Sequence, residues 1–561
     1  MVASSSSATA SLLDQLFALT PLADSSAWIK TITVLVLLPL LAVVLNVASQ
    51  LLLATPKNHP PVVFHFVPVI GSAIYYGIDP YKFFFECREK YGDVFTFVLL
   101  GRKITVALGP KGSNLVFNAK HQQVTAEDAY THLTTPVFGK EVVYDVPNAV
   151  FMEQKKFVKV GLSIENFRVY VPQIVDEVRE YIKSDARFSA LKTRKTITVD
   201  IFQAMSELII LTASRTLQGK EVRQGLDKSF AQLYHDLDSG FTPINFVIPN
   251  LPLPSNFKRD RAQKKMSQFY QDIVAKRRAA GASTSADDAS GENDMIAALI
   301  EQKYKNGRAL SGVEIAHMMI ALLMAGQHTS SATSSWAFLR LASRPEIIEE
   351  LYEEQLNVYS DGHGGLRELD YETQKTSVPL LDAVVKETLR LHPPLHSIMR
   401  YVKSDLAVPP TLSSPTSTKS EPDAHYVIPK GHYIMAAPGV SQVDPQIWKS
   451  SDQFDPHRWL DATTAAAMQD SGEDKQDFGF GMISTGANSP YLPFGAGRHR
   501  CIGEQFAYLQ IGVILATFVR IFKWHLDSKF PDPDYQSMVV LPSKNGCAIV
   551  LTPRAESLHL D

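Results

Sequence analysis

The longest uninterrupted apolar stretch runs from Thr31 to Ala54, TITVLVLLPLLAVVLNVASQLLLA, and carries no charge. As a helix rising 1.5 Å per residue it covers a hydrocarbon core of ~30 Å. Trp28 at its start suits a membrane interface, and Pro39 is tolerable inside such a helix. The run is too long, and begins too far behind a Ser-rich start, for a cleaved signal peptide. An uncleaved single-pass anchor is therefore expected at residues 28–54, with a luminal segment at 1–27. Within that segment Ala10–Ala23 reads as a short amphipathic helix on the far surface. Lys57, His59, Lys82, Arg88 and Lys90 follow the span, while Lys30 alone precedes it, so the positive-inside bias puts the C-terminal body in the cytosol. Pro56, Pro60, Pro61 and Pro68 stiffen residues 55–73 into a semi-rigid hinge before a body at 74–561.

In that body the dominant spacing is helical. Tyr81–Tyr91 is amphipathic, and Met266, Phe269, Tyr270, Ile273 and Val274 mark one face of another helix. Val94–Leu100 and Lys103–Leu108 are β-prone runs about Gly101-Arg102, a hairpin. The longest body helix opens at a capping box, Ser311-Gly-Val-Glu314, and continues to Pro345. Its length of ~48 Å would span the body. Three polar stretches, Ala279–Asp294, Pro409–Ala424 and Asp461–Asn488, read as surface loops. The pattern predicts a mainly α body with minor β.

The 561 residues are 45% hydrophobic, with 20% charged and a formal net charge of -3. This fits an ordered globular chain and removes the basic footprint that nucleic-acid binding requires. The three cysteines, Cys87, Cys501 and Cys547, are too few and too scattered for a disulfide framework. Cys87 and Cys547 read as small buried apolar side chains.

Cys501 has different neighbours. It ends the loop Phe494-Gly495-Ala496-Gly497-Arg498-His499-Arg500 and precedes Ile502-Gly503-Glu504 and an apolar helical run. Glycines allow tight turns, and a helix start with basic neighbours favours a thiolate. A thiolate so held can ligate heme iron. The alternative is a structural turn around a buried cysteine. The string FGAGRHRCIG resembles the heme-binding signature of the cytochrome P-450 superfamily, matched at Phe494, Gly495, Gly497, His499, Cys501 and Gly503.

Two further segments carry the resemblance. The long helix is interrupted at Ala325-Gly326-Gln327-His328-Thr329-Ser330. A mid-helix glycine costs about 1 kcal/mol relative to alanine, so a bulky planar neighbour or a tight helix contact is expected there. The segment resembles the superfamily's oxygen-activation motif, except that His328 replaces the usual acid, as in sterol 14α-demethylases. An imidazole relays protons near neutral pH. The resemblance implies Thr329 and His328 as catalytic, with Asp238 holding the imidazole. Glu387 and Arg390 share a helix face, either as a surface ion pair or, given apolar flanks, as a buried one. They resemble the superfamily's Glu-x-x-Arg helix, completed by Arg458, and imply a structural role.

Ala126–Asp145, Met152–Phe157, Gly240–Phe246, Leu395–Arg400 and Met538–Pro542 resemble the fungal sterol 14α-demethylases. Without that likeness the aromatics among them read as ordinary core. The resemblance implies a cytochrome P-450 fold binding heme b. Cys501 would be the metal ligand, Tyr130, Tyr144, Lys155, Arg400 and His499 would meet the propionates, and Gly503 would allow close approach. It places Phe138, Tyr144, Phe241, Ala325, His396, Ser397 and Met538 around a sterol. It implies three oxidations of the 14α-methyl of lanosterol or eburicol, electrons from NADPH through a reductase, azole binding, and an endoplasmic reticulum membrane location. Lys155, Lys156 and Lys159 either steer that reductase or form a solvated basic face. The rivals are a heme-thiolate hydroxylase of another lipid, a sterol-binding protein without turnover, and a cysteine hydrolase. Cys501 and His499 are poorly spaced for the last.

Overall fold

The computed structural model describes residues 25–53, 56–193, 195–226, 228–281, 294–363, 365–412, 425–461, 475–477, 482–484 and 487–554. The expected helix at Ala10–Ala23 and most of the three polar loops lie outside the described residues.

The principal elements in chain order are α1 (Ala27–Leu52), α2 (Pro80–Tyr91), β1 (Val94–Leu99), β2 (Arg102–Ala107), α3 (Glu127–Phe138), α4 (Asn148–Gly161), α5 (Ile164–Ser184), α6 (Ile201–Ala213), α7 (Lys228–Asp238), α8 (Pro254–Gly281), α9 (Gly312–Ala342), α10 (Pro345–Tyr359), α11 (Pro379–Leu391), β3 (Ile398–Val402), β4 (Tyr433–Ala436) and α12 (Glu504–Ile521). The hairpin β1–β2 is antiparallel, and its turn residues Leu100 and Gly101 have φ of 51° and 80°. Two successive left-handed residues match the twist of a tight hairpin. β2 then pairs parallel with β4, β4 antiparallel with β3, and β3 with Val124–Thr125.

α9 starts at the expected capping box, with Ser311 Oγ accepting from Glu314 N and the Glu314 carboxylate accepting from Ser311 N. It is buried on almost every face, packed between α6 and α8 on one side and α11 and α12 on the other. A helix that is apolar all round belongs at the centre of a large body. One core packs α5, α6, α10, α11 and α12 around its C-terminal half, and a second packs α4 and α8 around its N-terminal half.

α1 is long and apolar enough to cross a membrane, with its apolar side chains facing outward. The segment read as a hinge is docked instead. Val63 N donates to Thr96 O, Thr96 N to Pro61 O and Gly101 N to Val69 O, so residues 61–69 line the edge of β1. Asn46 Nδ2 of α1 donates to His65 O and Phe66 O at 2.8 and 2.9 Å. Proline removes donors, but the remaining N–H and C=O groups found partners on an open sheet edge.

Candidate active site

The cysteine loop is a set of turns locked onto the sheet layer. Gly495 and Gly497 have φ of +68° and +63°, and a Cβ at Gly497 would stand 2.6 Å from Phe117 O. Only glycine fits there. Cys501 N donates to Phe494 O at 2.9 Å, closing the loop just before α12. Cys501 is deeply enclosed by protein yet keeps exposed surface, so its thiol faces an internal cavity.

The electrostatics differ from expectation. Burial pushes the Cys501 thiol up, outweighing the Gly503 N–H and the cations Lys155 and Arg500. Arg500 is committed to Glu504 at 2.8 Å, and burial beside Arg400 and Lys155 holds His499 neutral. Helix start and basic neighbours alone therefore do not make this sulfur a thiolate. A coordinated metal ion does so outright.

One wall rises from this loop. His499 lies between the rings of Phe151, at 5.8 Å and stacked, and Tyr144, at 6.0 Å. Tyr144 stacks on Tyr130 at 5.6 Å, and Tyr130 OH accepts from Met399 N at 2.8 Å. Arg400, buried, lies close enough to lower the pKa of both phenols against the upward push of burial. The facing wall is the middle of α9. In this otherwise buried helix Ala325 and Gly326 are exposed, and a Cβ at Gly326 would meet no atom within 4 Å. The Thr329 hydroxyl donates to Ala325 O at 2.9 Å. Next to it, His328 Nε2 is 2.8 Å from Asp238 Oδ1 and 2.9 Å from Tyr234 OH. Above, Phe138 and Phe241 meet edge to face at 5.9 Å.

Cys501 and a bare stretch of the central helix thus both keep open surface in an otherwise buried setting. A family profile for cytochrome P450 matches residues 60–550. A Candida tropicalis protein named lanosterol 14-alpha demethylase is 48% identical over 91% of this chain and 93% of its own length. The chain belongs to the cytochrome P450 family, in its sterol 14-alpha demethylase branch. An eburicol 14-alpha-demethylase from Uncinula necator is 50% identical over 90% of this chain and 92% of its own. Among solved structures, a cyanobacterial cytochrome P450, CYP120A1 with retinoic acid bound, shares the fold at a TM-score of 0.69 and 19% identity, covering 88% of this chain and 99% of the other.

The residues of this P450 fit an iron porphyrin. The space beside Gly326 admits a planar group. Among the described residues the buried Nδ1 of His499 has no hydrogen-bond partner, as expected of a nitrogen meant for an acidic group that the protein does not supply. Phe494, packed on Tyr508 at 5.4 Å, braces the loop. A Cβ at Gly503 would reach only the Cys501 sulfur, at 3.8 Å, so any need for glycine there comes from the porphyrin side.

Lys155 is turned toward the cysteine loop. It is buried, and its Nζ donates to the carbonyls of Arg498 and Arg500, both at 2.9 Å. Burial pulls it down to about 7. It braces the cysteine loop and is unavailable to an approaching protein, whereas Lys156 and Lys159 are exposed. His396 and Ser397 sit farther along the wall, bonded to one another at 3.0 Å. Met538 is 50% exposed and touches the body through its neighbour chain, where Val540 N donates to Pro394 O.

Glu387 and Arg390 are fully buried and bonded at 2.8 and 2.9 Å, with Arg458 Nε on Glu387 Oε1 at 3.0 Å. Trp459 Nε1 adds a fourth donor to Glu387 at 2.9 Å, and Arg390 reaches the carbonyls of Gln442, Ser451 and Gln453. This knot ties α11 to the strand-free segment before the cysteine loop. Tyr234, Phe151 and Trp459 escaped the sequence reading because an aromatic at helical spacing looks like core. Tyr234 at i−4 from Asp238 was the one available signal.

Proposed function

We propose that this cytochrome P450 removes the 14α-methyl of lanosterol or eburicol in three successive monooxygenations, the carbon leaving as formate. Each round consumes one O2, two electrons and two protons. The electrons come from NADPH through a membrane-bound reductase, whose approach Lys156 and Lys159 favour. The anchor spans the endoplasmic reticulum membrane once, with the catalytic body facing the cytosol. The observation that carries the reading is the open space at the bare Ala325-Gly326 step of a buried helix, in a chain that keeps an exposed Cys501 and is half-identical to demethylases of both sterols.

Heme b bound through Cys501 supplies oxygen activation. The chain's own residues do the rest. Tyr130, Tyr144, Arg400 and His499 would hold the acidic edge of the porphyrin. Ala325 and Gly326 leave its face open. Thr329 and His328 hold protons at the edge of that space, and Asp238 keeps the imidazole oriented. Phe138 and Phe241 exclude water and offer an apolar surface to a rigid lipid, with His396, Ser397 and Met538 at its far end. A neutral azole nitrogen would compete for the heme held there.

Purified protein reconstituted with reductase and a 14α-methyl sterol tests this. The expected products are formate and the 14-demethylated sterol. A product that keeps the 14α-methyl and gains a hydroxyl elsewhere overturns the reading.

A further inference from the structure

Beyond Met399, which is bonded to Tyr130, His396 and Ser397 belong to a polar chain whose third member, Tyr76, has been given no role. Tyr76 OH is 3.0 Å from Ser397 Oγ, and Ser397 Oγ is 3.0 Å from His396 Nδ1. The Tyr76 ring is boxed by Phe84 at 5.6 Å, Phe97 at 5.4 Å and His396 at 5.9 Å.

The direction of this chain follows from counting hydrogens. Burial pushes the Tyr76 phenol up to about 12 and holds the His396 imidazole down at about 4, so the first is protonated and the second neutral near pH 7. Suppose first that the phenol donates to Ser397 and the hydroxyl of Ser397 donates to His396 Nδ1. The phenolic and hydroxyl hydrogens then both have acceptors within the chain, and the imidazole proton resides on Nε2, the nitrogen left for a ligand. In the reverse order His396 Nδ1 donates to Ser397 and Ser397 to Tyr76. The phenolic hydrogen then has no acceptor among the described residues. An unmet buried donor is the costlier arrangement.

His396 Nε2 has no hydrogen-bond partner among the described residues, yet it is absent from the buried, unpaired side-chain atoms, so it keeps accessible surface. The residue itself is enclosed, so this surface faces the interior of the chamber.

We propose that Tyr76 is a positioning residue that, through Ser397, fixes the His396 tautomer so that Nε2–H donates to the ring oxygen of a sterol at the end remote from its 14α-methyl. A donor-only group accepts a hydroxyl or a ketone alike and rejects a ring that carries neither. This selectivity rests on the sterol reading above.

The test uses the heme-loaded full chain and measures equilibrium binding of a 14α-methyl 3β-hydroxysterol, its 3-ketone and its 3-deoxy analogue. Wild type should bind the first two similarly and the third more weakly. Tyr76→Phe should weaken the hydroxysterol and ketone about five- to tenfold, leave the deoxysterol unchanged, and raise KM with little change in kcat. In His396→Gln, whose amide supplies an N–H without help, Tyr76→Phe should no longer alter the selectivity. Equal weakening of all three sterols by Tyr76→Phe would mean a packing role and overturn the proposal, as would no weakening of any. Wild-type demethylation is scored separately. If it proceeds while the selectivity fails, only this inference is lost, and if no 14α-methyl sterol binds or reacts, the functional reading is lost first.

Discussion

His328 Nε2 of α9 and Asp238 Oδ1 at the end of α7 stand 2.8 Å apart, although the two residues are 90 positions apart in the chain. The same nitrogen meets Tyr234 OH at 2.9 Å, so two groups of α7 converge on one imidazole in the centre of α9. A proton held at this nitrogen has a partly exposed carboxylate to orient it. Asp238→Asn keeps the shape and removes the charge. Its expected effect is a fall in kcat of about 10- to 100-fold, the lower part of the range for positioned proton transfer. NADPH consumed per sterol demethylated should rise at the same time. Tyr234→Phe should show a smaller loss. Turnover and coupling measured together check this, because a packing defect would lower sterol binding instead.

Cys501→Ala should abolish the red-shifted Soret band of the reduced, CO-bound protein. That band reports thiolate ligation, and Cys501 is the cysteine of the signature loop, so the variant removes the sulfur on which the assignment rests. A band unchanged in the variant would end the ligand assignment.

Glu387 accepts from Arg390, Arg458 and Trp459 with its own surface fully buried. Glu387→Gln leaves two guanidinium groups facing each other without a counter-charge. Breaking a buried pair from one side costs about 3–5 kcal/mol. Thermal unfolding should fall accordingly, and the fraction of protein that retains heme should fall with it, since the knot supports the segment leading into the cysteine loop. Arg458→Lys, which keeps the charge, should cost less.

His396 carries a pH signature. Burial holds its folded value at about 4, against an ordinary value of 6.5. Between these two the unfolded chain binds the proton and the folded chain does not, so stability falls as pH drops from 6.5 to about 4 and levels off below. The full shift corresponds to on the order of 3 kcal/mol. His396→Gln should reduce the slope of the urea midpoint across that window. A slope equal to wild type would place the acid limb in other groups.

The pattern along the chain carried most of the secondary structure. The membrane-length α1, the β1–β2 hairpin about Gly101 and the capped start of α9 appear where the sequence puts them, because period, turn chemistry and capping are local. The prolines of residues 56–68 were misleading for the same reason. They reported local stiffness truly, but whether a stiff segment swings free or docks depends on an open strand edge elsewhere, here that of β1.

By itself, then, the sequence determined the identity of the loop around Cys501, the break in α9 at Gly326 and the Glu387–Arg390 pair. Each lies within a dozen consecutive residues, where spacing alone constrains backbone and chemistry. Only the tertiary structure decided that Lys155 braces loop carbonyls, that burial overrules the helix start at Cys501, and that Tyr234 and Tyr76 sit behind His328 and His396. Those outcomes depend on desolvation and on partners tens to hundreds of residues away, and neither quantity is written in any local window of the chain.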